Sequence, residues 1–251
     1  MDTFKKTGAV AVLALGAALP SAADAQDRFR LVLNGIYNTS TIDFSDTRSF
    51  TEYSETAKVG ADYSVEGGFG FDAGLQANFY KSLGLLVGYT ATNRDETGPF
   101  DASLPHPLFL NRSRSLEGEL AGFEYKESSF YVDLAYVGGK KGGHLEWVLF
   151  AGASFFKVEV DFLDRITYNQ SYPYDSVTLR EAPPIGVEES PVGFNAGGRL
   201  DYRFGKSRRI GAGLMARYSV ATVTARGSAE STEVSFDAGG FEVGAGLRIY
   251  F

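Results

Sequence analysis

The chain has 251 residues, with 24 Lys plus Arg against 31 Asp plus Glu, a net charge of −7, no cysteine and two histidines. Without cysteine there is no disulfide framework and no thiolate metal site. The mild acidity argues against nucleic acid, which needs a basic face. Thirty glycines with 14 Tyr and 20 Phe suit small inward residues and aromatic girdles.

Lys5 and Lys6 precede an apolar run from Gly8 to Leu19, then Pro20 and the small-x-small site Ala23-Asp24-Ala25. This pattern predicts a secretory signal peptide over residues 1–25, cleaved after Ala25. The run is shorter than the ~20 residues of a spanning helix. Cleavage would remove Lys5, Lys6, Asp2 and Asp24, leaving the net charge unchanged. The remaining domain, 26–251, has no other long apolar run. If it enters a membrane, backbone satisfaction leaves only a closed barrel.

Period-2 alternation marks the strands. The first runs over about Arg28 to Thr39, with Phe29, Leu31, Leu33, Gly35 and Tyr37 outward. Residues 40–61 form a long polar loop, into which the flanking strands can extend. The second strand carries an odd-numbered stripe from Tyr63 and Val65 through Phe69, Phe71, Ala73 and Leu75 to Phe79. That exceeds the five or six residues of a common soluble strand. After a tight turn at Lys81-Ser82, the third strand puts Leu83, Leu85, Val87, Tyr89 and Ala91 outward. A loop from Asn93 to about Gly122 holds Pro99, Pro105 and Pro107. The fourth strand, about Phe123 to Val137, shows Phe130, Val132, Leu134 and Tyr136 on one face.

A glycine-lysine turn at 138–143 leads to the fifth strand, about Leu145 to Phe162. Two stripes compete there. Lys157, Glu159 and Asp161 favour placing Val148, Phe150, Phe156, Val158 and Val160 outward. Leu163 to Ser190 is the third long loop, rich in Tyr and Pro. The sixth strand puts Val192, Phe194, Ala196, Leu200, Tyr202 and Phe204 outward, and the seventh Ile210, Ala212, Leu214, Ala216, Tyr218 and Val220. The eighth ends on the stripe Phe241, Val243, Ala245, Leu247, Ile249, Phe251, apolar to its last residue. Lipid outside and a polar lumen inside produce this pattern.

The result is an all-β chain of eight antiparallel up-and-down strands. Ten is the alternative if a long loop hides a hairpin. Short turns near residues 81, 139 and 206 alternate with longer connections near 50, 108, 176 and 230. In outer-membrane barrels the short turns face the periplasm. On its signal peptide, hairpin asymmetry and terminal aromatic, the chain resembles the small eight-stranded outer-membrane β-barrel proteins of Gram-negative-type bacteria. The resemblance implies a bacterial outer-membrane location and contact with outer-membrane lipid. It also implies that Phe241, Val243, Leu247, Ile249 and Phe251 form the signal read by the barrel-assembly machinery. It leaves the activity open, because one fold hosts many functions.

Alternation places Arg28, Arg30, Asn34, Glu66, Asp72, Gln76, Asp133, Arg199, Asp201, Arg203, Arg217, Glu242 and Arg248 in the lumen. An eight-stranded barrel is about filled by its own side chains. These mixed charges therefore predict a plug of ion pairs and water, with a narrow polar pathway as the sharper reading. A soluble lipocalin-like barrel is disfavoured, since it would want an apolar interior. His106 and His144 fall at opposite mouths, so they cannot share a catalytic site. Asp95-Glu96 and Glu188-Glu189 are loop carboxylate pairs expected to be solvated; no metal or cofactor is expected. The resulting expectation is a non-enzymatic envelope or surface-interaction barrel with an unknown surface ligand and limited small-solute passage. A lipid-modifying enzyme of the lipid A deacylase kind is the alternative.

Overall fold

The computed structural model describes residues 28–251 except 81, 140–142 and 230. The signal peptide, its cleavage site and the centres of two tight turns lie outside these residues. Fifteen strands are described: β1 (Phe29–Asn38), β2 (Ile42–Glu52), β3 (Glu55–Val65), β4 (Gly68–Tyr80), β5 (Leu83–Thr97), β6 (Pro99–Pro105), β7 (Ser113–Glu119), β8 (Phe123–Gly139), β9 (Leu145–Leu163), β10 (Thr167–Gln170), β11 (Val177–Glu181), β12 (Pro184–Glu189), β13 (Val192–Phe204), β14 (Ile210–Ala225) and β15 (Val234–Tyr250).

Eight of them close a ring in the order β1-β4-β5-β8-β9-β13-β14-β15. Each pairs antiparallel with the next, and β15 returns to β1 from Asn38↔Glu242 to Arg30↔Tyr250. Closure leaves no free edge in the ring. The eight-strand expectation therefore stands over the ten-strand alternative. The long loops do hide hairpins (β2–β3, β6–β7 and β10–β11), but these do not enter the ring. They build upward from one end of it, with β3 pairing β6 and the tip of β5, and β12 pairing the distal half of β9.

Strand length explains this second storey. A membrane-crossing strand needs ~9–11 residues, whereas β9 has 19 and β8 and β15 have 17 each. At ~3.3 Å per residue, β9 extends ~63 Å, far beyond a ~25 Å apolar band even when tilted.

The two tiers have opposite sidedness. In the lower tier, the belt, large apolar side chains point out: Leu33, Tyr37, Phe69, Phe71, Leu85, Tyr89, Phe130, Leu134, Leu149, Phe155, Phe194, Leu200, Leu214, Tyr218 and Phe241 are all exposed. An apolar surface of this extent marks a face that is covered by an apolar surrounding. Above it, on the same strands, the outward residues turn polar: Asn93, Asp95, Lys126, Glu124, Lys157 and Glu159. Pairs such as Ser64–Asp43, Ser45–Asp62, Lys157–Glu188 and Thr222–Asp237 lace this outer surface. Inside the upper tier lies an apolar core of Ile42, Phe44, Val59, Tyr63, Val65, Phe100, Leu104, Phe123, Tyr125, Val158, Phe162, Val223 and Phe236, among others. Phe44 stacks on Tyr63 and Phe236, with centroids 4.8 and 4.7 Å away. Each such buried aromatic contributes about 1.5–3 kcal/mol. The upper tier is thus a conventional β core standing on a barrel whose outer face is apolar.

Two strand assignments need correction. On β9 the odd set, Leu145, Trp147, Leu149 and Phe155, is exposed, while Val148, Phe150, Phe156, Val158 and Val160 are buried. Lys157, Glu159 and Asp161 misled because they sit above the belt, where a charged outward residue is the rule. The stripe from Tyr63 to Phe79 is also not one strand. Tyr63 and Val65 end β3 and face the upper core, Glu66-Gly67 separates the two strands, and Phe69 and Phe71 begin the exposed apolar face of β4.

Candidate functional site

The barrel interior is built in layers. Lowest, the Asp201 carboxylate accepts from three guanidiniums: Arg30 Nη1 at 3.0 Å, Arg199 Nε at 2.8 Å and Arg248 Nε at 2.7 Å. Glu146 is shared by Arg30 (2.9 Å) and Arg203 (2.7 Å). The rings and cations interleave, with Arg203 4.0 Å and Arg30 4.7 Å from the Tyr250 centroid. Gln76 and Asn34 accept from the remaining edges of Arg199 and Arg248.

The middle layer centres on Arg217. It donates to Glu242 (2.6 Å), Asp72 (3.1 Å) and Thr90 (2.6 Å), while the Tyr131 hydroxyl donates to Asp72 at 2.8 Å. Asn195 bridges Asp133 and Ser154 beside it. These groups come from β4, β5, β8, β9, β13, β14 and β15, so the layer ties almost the whole ring together.

The junction with the upper tier is a third layer. Glu127 pairs Arg94 at 3.3 Å and accepts from the Tyr125 hydroxyl and the Gly239 N–H, both at 3.0 Å. The Gly239 carbonyl accepts from Asn38 and Arg94. Gly239 has φ +97°, a conformation open to glycine, and a Cβ there would stand 2.4 Å from the Ser219 carbonyl oxygen. The turned peptide is what aims its N–H at Glu127.

Above the junction, in the upper tier, Glu96 faces inward with 1% exposure and no hydrogen-bond partner for either carboxyl oxygen. Burial, reinforced by the Asp161 carboxylate, pushes its pKa up to about 8; desolvation favours the neutral acid. The Tyr63 hydroxyl, raised by burial, accepts from the Leu163 N–H. Near the top, a cavity of 540 Å³ opens between Arg48, Phe50, Val59, Ala61, Leu163, Arg165 and Ile166.

Among the residues expected in the lumen, Arg30, Asp72, Asp133, Arg199, Asp201, Arg217, Glu242 and Arg248 lie buried in the first two layers, with Asn34, Gln76 and Arg203. Glu66 does not. It is exposed in the break between β3 and β4, and Arg28 is exposed below the first strand. Sequence reasoning missed Glu146, because the wrong face of β9 was placed outward. It also missed Tyr131 and Tyr250, whose inward parity was available, and the Arg94–Glu127 junction, because Arg94 lay inside an expected loop. Asp95 and Glu96 point to opposite faces of β5 and form no carboxylate pair. Phe241, Val243, Leu247 and Phe251 are exposed on the belt, and Ile249 is half-buried beside them.

The histidines offer no catalytic pairing among the described residues. His106 is buried, accepts from the Leu108 N–H and lies 3.7 Å from Asp175. His144, at the other end of the molecule, bonds the Arg203 carbonyl and stacks on Tyr202. No group of three or more metal-ligating side chains occurs among the described residues.

No family model and no curated protein matches the chain. Solved structures similar to it are outer-membrane β-barrel proteins. OprG from Pseudomonas aeruginosa has 12% identity over 90% of this chain and 97% of that one, with a TM-score of 0.49. Neisserial surface protein A has 12% identity over 89% and 97%, with a TM-score of 0.40. Ail of Yersinia pestis, solved with the heparin analogue sucrose octasulfate, has 10% identity over 88% and 99%, with a TM-score of 0.35.

Proposed function

We propose that this chain is a non-enzymatic outer-membrane β-barrel that holds a rigid, polar-coated platform above the membrane for contact at the cell surface. The observation that carries the reading is the reversal of sidedness at one level around the ring. Apolar groups point out below it and in above it, as a structure half in lipid and half in water requires. The belt takes outer-membrane lipid, and the β15 stripe from Phe241 to Phe251 serves as the segment that the barrel-assembly machinery reads.

Three bonded layers cross the interior, and breaking any of them strands buried charge. That opposes free solute passage and favours a surface role. The platform summit supports it. Tyr53, Leu108, Phe109, Leu110 and Tyr172 are exposed there on hairpin tips, held together by Asn111–Glu55, Gln170–Tyr53 and Arg112–Asp175 contacts. Exposed aromatics on a preorganised frame are suited to recognition.

The test has two arms. Purified protein in planar bilayers should give no steady conductance steps; steady steps would refute the closed lumen. Intact cells should lose epitopes placed at Leu108–Leu110 to added protease. Protection in intact cells, with cleavage only after lysis, would refute the outward orientation.

A further inference from the structure

The lowest lumen layer carries more positive charge than its carboxylates neutralise. Asp201 alone receives Arg30, Arg199 and Arg248. The only other carboxylate in the layer among the described residues, Glu146, is shared between Arg30 and Arg203. Granting all of Glu146 to Arg30, and leaving Arg203 aside, still sets three guanidiniums against two carboxylates.

A second observation is independent of that count. Three donors in the layer have no acceptor: Arg30 Nε, Arg248 Nη2 and the Tyr250 hydroxyl. Their residues are 1%, 0% and 3% exposed. Arg30 and Arg248 grip the two oxygens of one carboxylate, and Arg30 lies against the Tyr250 ring, so all three orphan donors belong to neighbouring residues of one layer. Buried donors without acceptors are rare in folded proteins.

The middle layer differs in kind. There the excess is acidic, with Asp72, Asp133 and Glu242 around Arg217, and a carboxylate can take up a proton. A guanidinium cannot shed one. The lower layer's surplus can be met only by further negative charge, and an anion placed against its orphan donors would supply it locally.

We propose that the lower lumen binds a small inorganic anion, held by Arg30, Arg248 and Tyr250. The anion acts as a structural counter-ion that completes the plug.

Crystals of the full-length protein soaked in sodium bromide would be measured at the bromine absorption edge. The expected result is an anomalous peak inside the barrel within hydrogen-bonding distance of Arg248 Nη2, Arg30 Nε or the Tyr250 hydroxyl. Inorganic phosphate in the soak should displace it if the site takes larger anions and leave it if the site is halide-sized; either supports an anion site. Arg199→Gln lowers the excess charge and should weaken the peak. In solution, wild type should unfold at a higher temperature in chloride than in gluconate of equal ionic strength, a difference reduced in Arg199→Gln. Should that variant fail to fold, the wild-type peak and chloride shift decide. Bromide confined to the outer surface (an adventitious ion only) or no chloride shift overturns the proposal.

Discussion

Glu96 gives the upper tier a pH dependence opposite to that of an ordinary paired carboxylate. Its folded pKa of about 8 lies above the ordinary 4.5. Below about 4.5 the acid is protonated whether the tier is open or closed, and its burial costs little. Between 4.5 and 8 the closed tier holds a proton that the opened chain releases, so stability falls as pH rises. Above about 8 the loss is complete. At ~1.36 kcal/mol per unit, the 2.5 units between pH 4.5 and 7 correspond to a loss of roughly 3 kcal/mol. Hydrogen exchange of the Val65, Phe123 and Tyr125 amides in detergent micelles, corrected for the intrinsic pH dependence of exchange, measures the opening free energy. Wild type should lose about that amount between pH 4.5 and 7, and Glu96→Gln, which keeps the shape without the charge, should be flat. A wild-type tier that is equally stable across this range, or more stable at pH 7, refutes the reasoning.

Phe44→Ala removes a ring packed on Tyr63, Phe162 and Phe236 and should cost about 3–5 kcal/mol. Denaturant-dependent proteolysis should detect this in the upper tier, with heat-modifiable gel migration of the belt retained. Asp201→Asn leaves three buried guanidiniums without their shared charge and should destabilise the whole barrel by about 3–5 kcal/mol, read as a lower urea midpoint for refolding into vesicles. Gly239→Val forces a branched side chain onto a φ of +97° and against Ser219. It should cost at least about 1–3 kcal/mol and raise the exchange rate of the β15 amides at the junction.

The eight staves were legible because an apolar outer face and a polar lumen impose strict alternation. β13 keeps it from end to end and β14 keeps it as far as Val220, with no charged residue on the outward face. The upper tier was not legible as structure. Its hairpins alternate with apolar residues inward, and Ser, Asp, Thr and Lys outward, over short runs such as Ile42–Glu52 that read equally as polar loop. β9 shows the physical reason most clearly. Parity along a strand is fixed, but the chemistry that parity implies inverts where the strand leaves the belt. Lys157 is an outward residue above the belt, whereas Phe155, two positions earlier, is an outward residue within it. The lumen charges followed from parity alone, but their partners did not. Arg30 with Asp201 and Arg217 with Asp72 join strands 171 and 145 residues apart in sequence, a distance only the closed register reveals.

The account stands on the reversal of sidedness along single strands, and the cysteine-free chain makes that directly measurable. Single cysteines at Leu85, Phe130 and Phe155 in the belt, and at Asp95, Lys126 and Lys157 above it, would carry a fluorophore in lipid vesicles containing spin-labelled lipid. The first three should be strongly quenched by the lipid and the second three quenched only by aqueous iodide. Equal lipid quenching at Phe155 and Lys157, or water access at Phe130, would contradict the account.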